Sequence, residues 1–298
     1  MKLAVLLQCH KNPHQINVLL EAMKHPDITF FVHIDKKSNI GSKLFERKDV
    51  VLLPESKRID VQWAKISQVD ATINLLDFAQ KSGKYDYYWL CSGQDFPIQS
   101  SNRIIRYLVD NAGCDFIELF PSMNNGLYHG CNYDKRNELF FPDWILGNGS
   151  IRRILKRLYV EITGGYNHTF SWAKRNPVDN MKFYFGSCWM CLSKRTTDWI
   201  LEYIRVHPEY YNFFSHSNCP DESFFQTLVM NSPFAKARRD YLHYVEWIEG
   251  KSNPKVLTCE DLPKLLESGK LMARKFDEDT DDEVINKLLK IIEMEEAK

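Results

Sequence analysis

The first 120 residues alternate apolar runs with amphipathic ones, and no other feature constrains the fold as strongly. "KLAVLLQC", "ITFFVHID", "VVLLP" and "YDYYWLCSG" are short and rich in branched and aromatic side chains, as strands buried on both faces require. Between them, "HQINVLLEAMKH" and "KISQVDATINLLDFAQKS" carry the helical period. "SSNRIIRYLVDNAG" follows as a helix and "CDFIELF" as a strand. Strands that alternate with helices predict an α/β fold, a mostly parallel central sheet flanked by helices. Ligands in such sheets sit beyond the carboxyl ends of the strands. Here those ends read "QCHK", "HIDKKS" and "SGQD", polar where the preceding strand is apolar.

Beyond residue 121 the pattern loosens into "PSMNNGLYHGCNYDKRNELFFPDW", which has no clean period and the length of a functional loop. A basic helix follows, "SIRRILKRLYVEI". Its Arg152, Arg153, Lys156 and Arg157 read as a solvated face, with peripheral contact to a membrane surface as the alternative. From Asp277 the tail is acidic and then helical. With no repeat and no low-complexity linker, the 298 residues read as a single domain. Its two joined halves are about 1–120 for nucleotide binding and about 121–298 for the acceptor and catalysis.

The 39 basic and 39 acidic side chains cancel, so no global field draws the chain to nucleic acid, and an anionic ligand must be held by local cations. The apolar run from Leu3 to Leu7 is too short for a signal peptide or a membrane span, and no stretch approaches 18 apolar residues. The expectation is a soluble, cytoplasmic chain whose eight cysteines stay reduced, possible contact with the inner face of the membrane aside. Cys188 and Cys191 have C-x-x-C spacing, but they fall in "FYFGSCWMCLS", which reads as a strand that would turn them to opposite faces. A zinc or redox site there is the lesser reading.

"NCPDESFFQTL" sets Asp221 and Glu222 between a proline and an apolar run. Taken alone, that is the first turn of a helix, where carboxylates meet free N–H groups. Several common sites are missing: G-x-G-x-x-G after the first strand, a phosphate-binding G-x-x-x-x-G-K-S/T, H-E-x-x-H and G-x-S-x-G. Asp-x-Asp occurs only in the acidic run, as Asp277-Glu278-Asp279 and Asp279-Thr280-Asp281, where a solvated surface is the better reading.

"FFVHIDKKS", "VQWAKIS", "YYWLCSGQDFPI", "FGSCWMCLS", "CPDESFFQTL" and "ARKFD" stand in an order and spacing that resemble one family. It is the core-2/I-branching N-acetylglucosaminyltransferase and peptide O-xylosyltransferase family, glycosyltransferase family 14, here in the manner of its short bacterial members. The likeness runs from about residue 2 to 277. It implies a GT-A-like nucleotide-sugar fold, a UDP-sugar donor, a glycan or glycolipid acceptor, inversion at the anomeric carbon, and no metal or other cofactor. It further implies a role in bacterial surface or capsular polysaccharide synthesis.

The resemblance makes Glu222 the general base, with Asp221 capping or supporting it. Lys275, with Arg274, falls on the diphosphate position of "ARKFD". Ser252 falls where animal members carry a second Arg, so Lys255 is the expected substitute. For the nucleotide the candidates are the strand-end groups Gln8, His10, Asp35 and Asp95, joined by Gln62 and Trp63. Asp35 and His10 serve equally well as turn residues, and Trp63 reads more readily as core. Glu118, Arg136, Trp189 and Trp247 lie where the family meets its acceptor sugar. A non-catalytic nucleotide-sugar or glycan-binding module of the same fold is the alternative, and it would have no need of a base at residue 222.

Overall fold

The computed structural model of the chain describes residues 1–44, 46–121, 127–128, 131–166, 168–248 and 253–296. Its strands are β1 (Leu3–Cys9), β2 (Ile28–Ile34), β3 (Val50–Leu52), β4 (Tyr87–Ser92), β5 (Asp95–Pro97), β6 (Asp115–Ile117), β7 (Leu127–Tyr128), β8 (Cys131–Asn132), β9 (Met190–Ser193), β10 (Arg238–Arg239), β11 (His243–Val245) and β12 (Met272–Arg274). Its helices are α1 (Pro13–Ala22), α2 (Ser67–Ser82), α3 (Ser101–Asp110), α4 (Asp134–Glu138), α5 (Ser150–Ile162), α6 (Lys194–Val206), α7 (Pro208–Ser215), α8 (Phe224–Asn231), α9 (Leu262–Glu267) and α10 (Glu283–Glu296).

Seven strands form the central sheet in the order β10-β6-β9-β4-β1-β2-β3. β1 pairs in parallel with both β2 and β4, β2 with β3, and β10 with β6, whereas β9 runs antiparallel to β4 and to β6. The sheet is therefore mostly parallel, as the alternating runs require. β9 and β10 come from the second half of the chain, so both halves build one sheet. A smaller sheet, β11-β12-β5, packs beside it, and β7 pairs with β8 alone.

Side chains alternate strictly along the buried strands. Leu3, Val5 and Leu7 of β1 join Phe30 and Val32 of β2 and Trp89 of β4 on one face, which α1, α3 and α10 cover through Ile16, Ile104 and Leu288. Ala4, Leu6, Phe31 and Leu90 point to the other face, where α2, α6, α7 and α8 cover them with Leu75, Ile200, Phe214 and Phe224. A separate small core of Leu139, Phe141, Ile145, Leu146 and Val160 fastens α5 to the segment before it.

Three local expectations are corrected. β9 is shorter than "FYFGSCWMCLS" suggests, and Cys188 lies in a bend before it. Residues 182–187 satisfy their backbone on α8 instead of a strand: Tyr184 N–H donates to Thr227 Oγ1 (3.1 Å), and Gln226 Nε2 donates to the carbonyl of Ser187 (2.7 Å). Asp221 and Glu222 do not open α8. Pro220–Glu222 form a separate 3-10 turn, and Ser223, at φ −143°, breaks the path before the helix begins at Phe224. The acidic run is not all solvated. Asp277 accepts from Lys11 Nζ (2.6 Å) and Asn12 Nδ2 (2.9 Å), and Asp281 accepts from the N–H of Cys259 (2.9 Å), which ties the tail to the segment after β1 and to the turn before α9.

Candidate active site

The chain leaves β1 for β2 on one side and returns after β3 to place β4 on the other, so the carboxyl ends of these three strands part around a crevice. A cavity of about 320 Å³ occupies it. Gln8 and His10 line it from the end of β1, His33 and Asp35 from β2, and Ser92 and Gln94 from β4. Gln8 is aimed by its donor bond to Thr72 Oγ1 on α2 (2.9 Å). Asp35 is fixed by the N–H of Lys37 on its Oδ1 (2.9 Å), while its backbone N–H is held by the Cys9 carbonyl (2.8 Å). Burial and the charge of Lys11, opposed by Asp35, push the His10 imidazole below its ordinary pKa; Lys275 and Lys37 add to the effect.

Trp63 also lines this cavity and is 48% exposed, so it is not a core residue. Gln62 turns outward in the loop before α2, where its N–H meets Ser67 Oγ, and it takes no part in the lining. Asp95 is corrected as well. It is wholly buried behind the cavity, and its oxygens are taken by the Ser92 N–H (2.8 Å), the Ser92 hydroxyl (2.9 Å) and Arg274 Nη1 (2.7 Å). Its role is to hold Arg274, not a nucleotide.

Glu222 stands on the cavity wall. Two residues in left-handed backbone brace its turn: Cys219 (φ 53°), just before it, donates its N–H to the carbonyl of Ala64 (φ 60°) at 3.2 Å. Such conformations are costly for residues with a Cβ and cluster at functional sites. The carbonyl of Glu222 accepts from the N–H of Gly186 (2.9 Å). Only glycine fits at 186, because a Cβ there would lie 2.0 Å from the carbonyl oxygen of Glu118. The carboxylate itself is ion-paired through Oε2 with Nη1 of Arg136, whose guanidinium rests 4.2 Å from the Tyr133 ring. Among the described residues no donor reaches Oε1. Burial, then the charge of Glu222 against that of Arg136, pushes the neighbouring Asp221 carboxyl well up from the ordinary range.

Of the three expected diphosphate cations, Arg274 lines the cavity, stacked 4.0 Å from the Trp189 ring and neutralised by Asp95. Lys275 follows it in the chain but is not among the residues that line the cavity, and no carboxylate lies in ion-pair distance of it among the described residues. Burial, then the charges of Arg274 and Lys11, lower its pKa against the pull of Asp277. Lys255 is corrected: its ammonium is paired with the buried Asp261, so it does not line the cavity. Ser252 lies outside the described residues.

Trp189 and Trp247 both line the cavity, and Glu118 lies just behind, accepting from the Ser187 N–H (3.2 Å). Arg136 faces a second cavity of about 910 Å³ that shares Trp63 and Asn253 with the first. Sequence reasoning missed Ser92 and Gln94, although both stand in "CSGQD", and it missed His33 in "HID". It also missed Cys188, because the strand reading hid the bend. His243 gave no signal at all. It is fully buried, 3.4 Å from Asp95, and its ring packs on Trp189 at 5.9 Å.

The cavity thus brings together the carboxylates of Asp35, Asp221 and Glu222, the Arg274 guanidinium stacked on Trp189, and the further aromatic faces of Trp63 and Trp247. The chain is 23% identical to a xylosyltransferase of Ciona intestinalis over 298 residues, 92% of this chain and 32% of that protein. It is 21% identical to xylosyltransferase 1 of Rattus norvegicus, over 97% of this chain and 35% of that one. It is 24% identical to the Homo sapiens protein named "Probable beta-1,3-galactosyl-O-glycosyl-glycoprotein beta-1,6-N-acetylglucosaminyltransferase 7", over 95% of this chain and 66% of that one. Among solved structures, mouse xyloside xylosyltransferase 1 in its apo form aligns with 92% of this chain and 97% of its own, at 11% identity and a TM-score of 0.39. The chain spans about a third of the length of the curated relatives it matches first. The Core-2/I-Branching enzyme model matches residues 4–268, and the chain belongs to that family.

Proposed function

We propose that the chain is an inverting, metal-independent glycosyltransferase that moves N-acetylglucosamine or xylose from a UDP-sugar to a hydroxyl of a glycan or glycolipid. The observation that carries the reading is the open Oε1 of Glu222 on the same cavity as Arg274. The acceptor hydroxyl attacks the anomeric carbon from the face opposite the diphosphate. A bond forms from that oxygen to the carbon, the bond from the carbon to the diphosphate oxygen breaks, and the proton passes to Glu222. Arg136 keeps the carboxylate aimed through the other oxygen.

The departing diphosphate needs positive charge that is already in place. Arg274 and Asp95 together are neutral, so Lys275 supplies the net charge. Trp63, Trp189 and Trp247 suit the faces of sugar and base rings. Surface or capsular polysaccharide in a bacterial cytoplasm is the setting this reading carries. Among the described residues no helix is long and apolar enough to cross a membrane.

The test is a screen of UDP-sugars by thermal shift, followed by detection of released UDP with and without EDTA. One donor is expected to stabilise the protein and to release UDP equally in both conditions. Binding without release would make the chain a sugar-nucleotide binder. Loss with EDTA, restored by manganese or magnesium, would refute metal independence.

A further inference from the structure

α5 shows solvent an apolar face that a helix of a closed globular protein would bury. Ile151, Ile154, Leu158 and Ile162, three and four residues apart, are 73%, 60%, 53% and 68% exposed. The helix is held from its other side, where Leu155, Tyr159 and Val160 pack on the small core around Phe141. Large exposed aromatics stand at both ends. Trp144 lies in the 3-10 turn that leads into α5. Trp172 stacks on Phe170, whose N–H is bonded to the Thr163 carbonyl just past the helix.

Arg153 and Arg157, both exposed, lie on one flank of the stripe, whereas the partly buried Arg152 and Lys156 fall on the side that packs on the protein. None of the four has a carboxylate in ion-pair distance among the described residues, and the polar partners of Arg152 and Lys156 are the neutral oxygens of Asn148 and Asn218. The one acidic residue of the helix's apolar side is Glu161. An unpaired basic flank next to an exposed apolar stripe is complementary to phosphate headgroups over acyl chains, which satisfy both at once.

We propose that this face of α5 docks on an anionic lipid surface, and that the acceptor is a glycan anchored in that surface. Arg153, Ile154, Arg157 and Leu158 also line the 910 Å³ cavity, whose wall includes Arg136, the residue that holds Glu222. The cavity therefore opens beside the docking face and reaches Arg136, the partner of Glu222. The second half of the proposal rests on the transferase reading. The docking does not.

Flotation with vesicles of equal parts phosphatidylcholine and phosphatidylglycerol, against phosphatidylcholine alone, tests it. The protein is expected to float with the anionic vesicles and to detach as salt rises. Arg153→Gln with Arg157→Gln should weaken partitioning about 25-fold, about fivefold for each cation. Ile154→Ser with Leu158→Ser should weaken it at least about tenfold on the same vesicles. All four side chains are at the surface, and unchanged melting confirms that both variants fold. The proposal is overturned if the parent protein stays off anionic vesicles or if both variants bind as it does. It is equally overturned if light scattering finds a dimer that Ile154→Ser with Leu158→Ser splits, since a second copy then covers the face. Failure to release UDP from any donor would sink the transferase reading and leave the flotation result standing.

Discussion

Glu222→Gln separates the two roles of one side chain. The amide keeps the shape and still accepts from Arg136 through its oxygen, so the turn at Pro220–Glu222 should persist. The guanidinium stays charged, so an ion pair becomes a charge-assisted contact to a neutral oxygen, a difference on the order of 1–2 kcal/mol. The Arg136 and Glu222 side chains are 15% and 29% exposed, so solvent offsets part of that difference, and the expected loss of stability is about 1 kcal/mol. For a chain of this size that lowers the melting temperature by only about 2 °C. Transfer should fall by about 10²–10⁴-fold, the usual worth of a general base. UDP affinity should hold, because Arg274 and Lys275 are untouched. One complication follows from the geometry. Burial, then the charge of Glu222, holds the Asp221 carboxyl above its ordinary range, so neutralising Glu222 brings it down and favours an Asp221 carboxylate beside Arg136. The double variant with Asp221→Asn removes that substitute and should show the larger defect. The assays are UDP release with a verified acceptor, calorimetry of UDP binding and a thermal melt. Transfer at the parent rate by a folded Glu222→Gln protein would refute the base assignment.

Lys275→Ala should weaken UDP binding by about 1.5–3 kcal/mol, more than tenfold in dissociation constant, and slow turnover with it. Unchanged affinity by calorimetry would remove Lys275 from the site. Glu118→Gln should change the dependence of stability on pH. Burial, opposed by the Ser187 N–H, raises the Glu118 carboxyl from 4.5 to about 7. The folded protein therefore keeps a proton that the unfolded chain releases, and the group costs stability progressively as pH rises from 4.5 toward 7. The variant should melt above the parent at pH values over about 7 and with it below about 4.5. A constant difference across that range would contradict the assignment.

The strands β1, β2 and β4 were legible because each is a short run, apolar on both faces, rich in branched and aromatic side chains and bounded by polar turns. Their polar ends located the cavity for the same reason. Glu222 was legible only through its motif: its immediate neighbours describe a helix start, and the structure puts the helix two residues further on. What remained hidden depends on distant partners. Arg136 meets Glu222 across 86 residues, and Asp95 meets Arg274 across 179. Nothing local to Asp95 says that its carboxylate faces the protein and not a ligand. Lys255 is different, since the spacing of Thr258 and Asp261 announces a capping box, and with it a fixed carboxylate within reach of the lysine. That signal was present in "KVLTCED" and outweighs a count of positions from the tail.

The placement of β9 between β4 and β6 bears on how the molecule assembles. β4 and β6 are close in the chain, yet neither completes its hydrogen bonds against the other. Each waits for a strand that begins at Met190, after the entire segment bearing α4 and α5 has been made. Until then β4, fully buried and with Tyr87, Trp89 and Cys91 on one side, has an open edge. Closing it requires a long loop to be ordered before the contacts that reward it exist, so folding is slow for a chain of this size and exposed to intermolecular pairing on the way. The same interleaving makes the crevice a product of the completed whole: its floor is laid early, and the wall that carries Glu222 arrives with the last third of the chain.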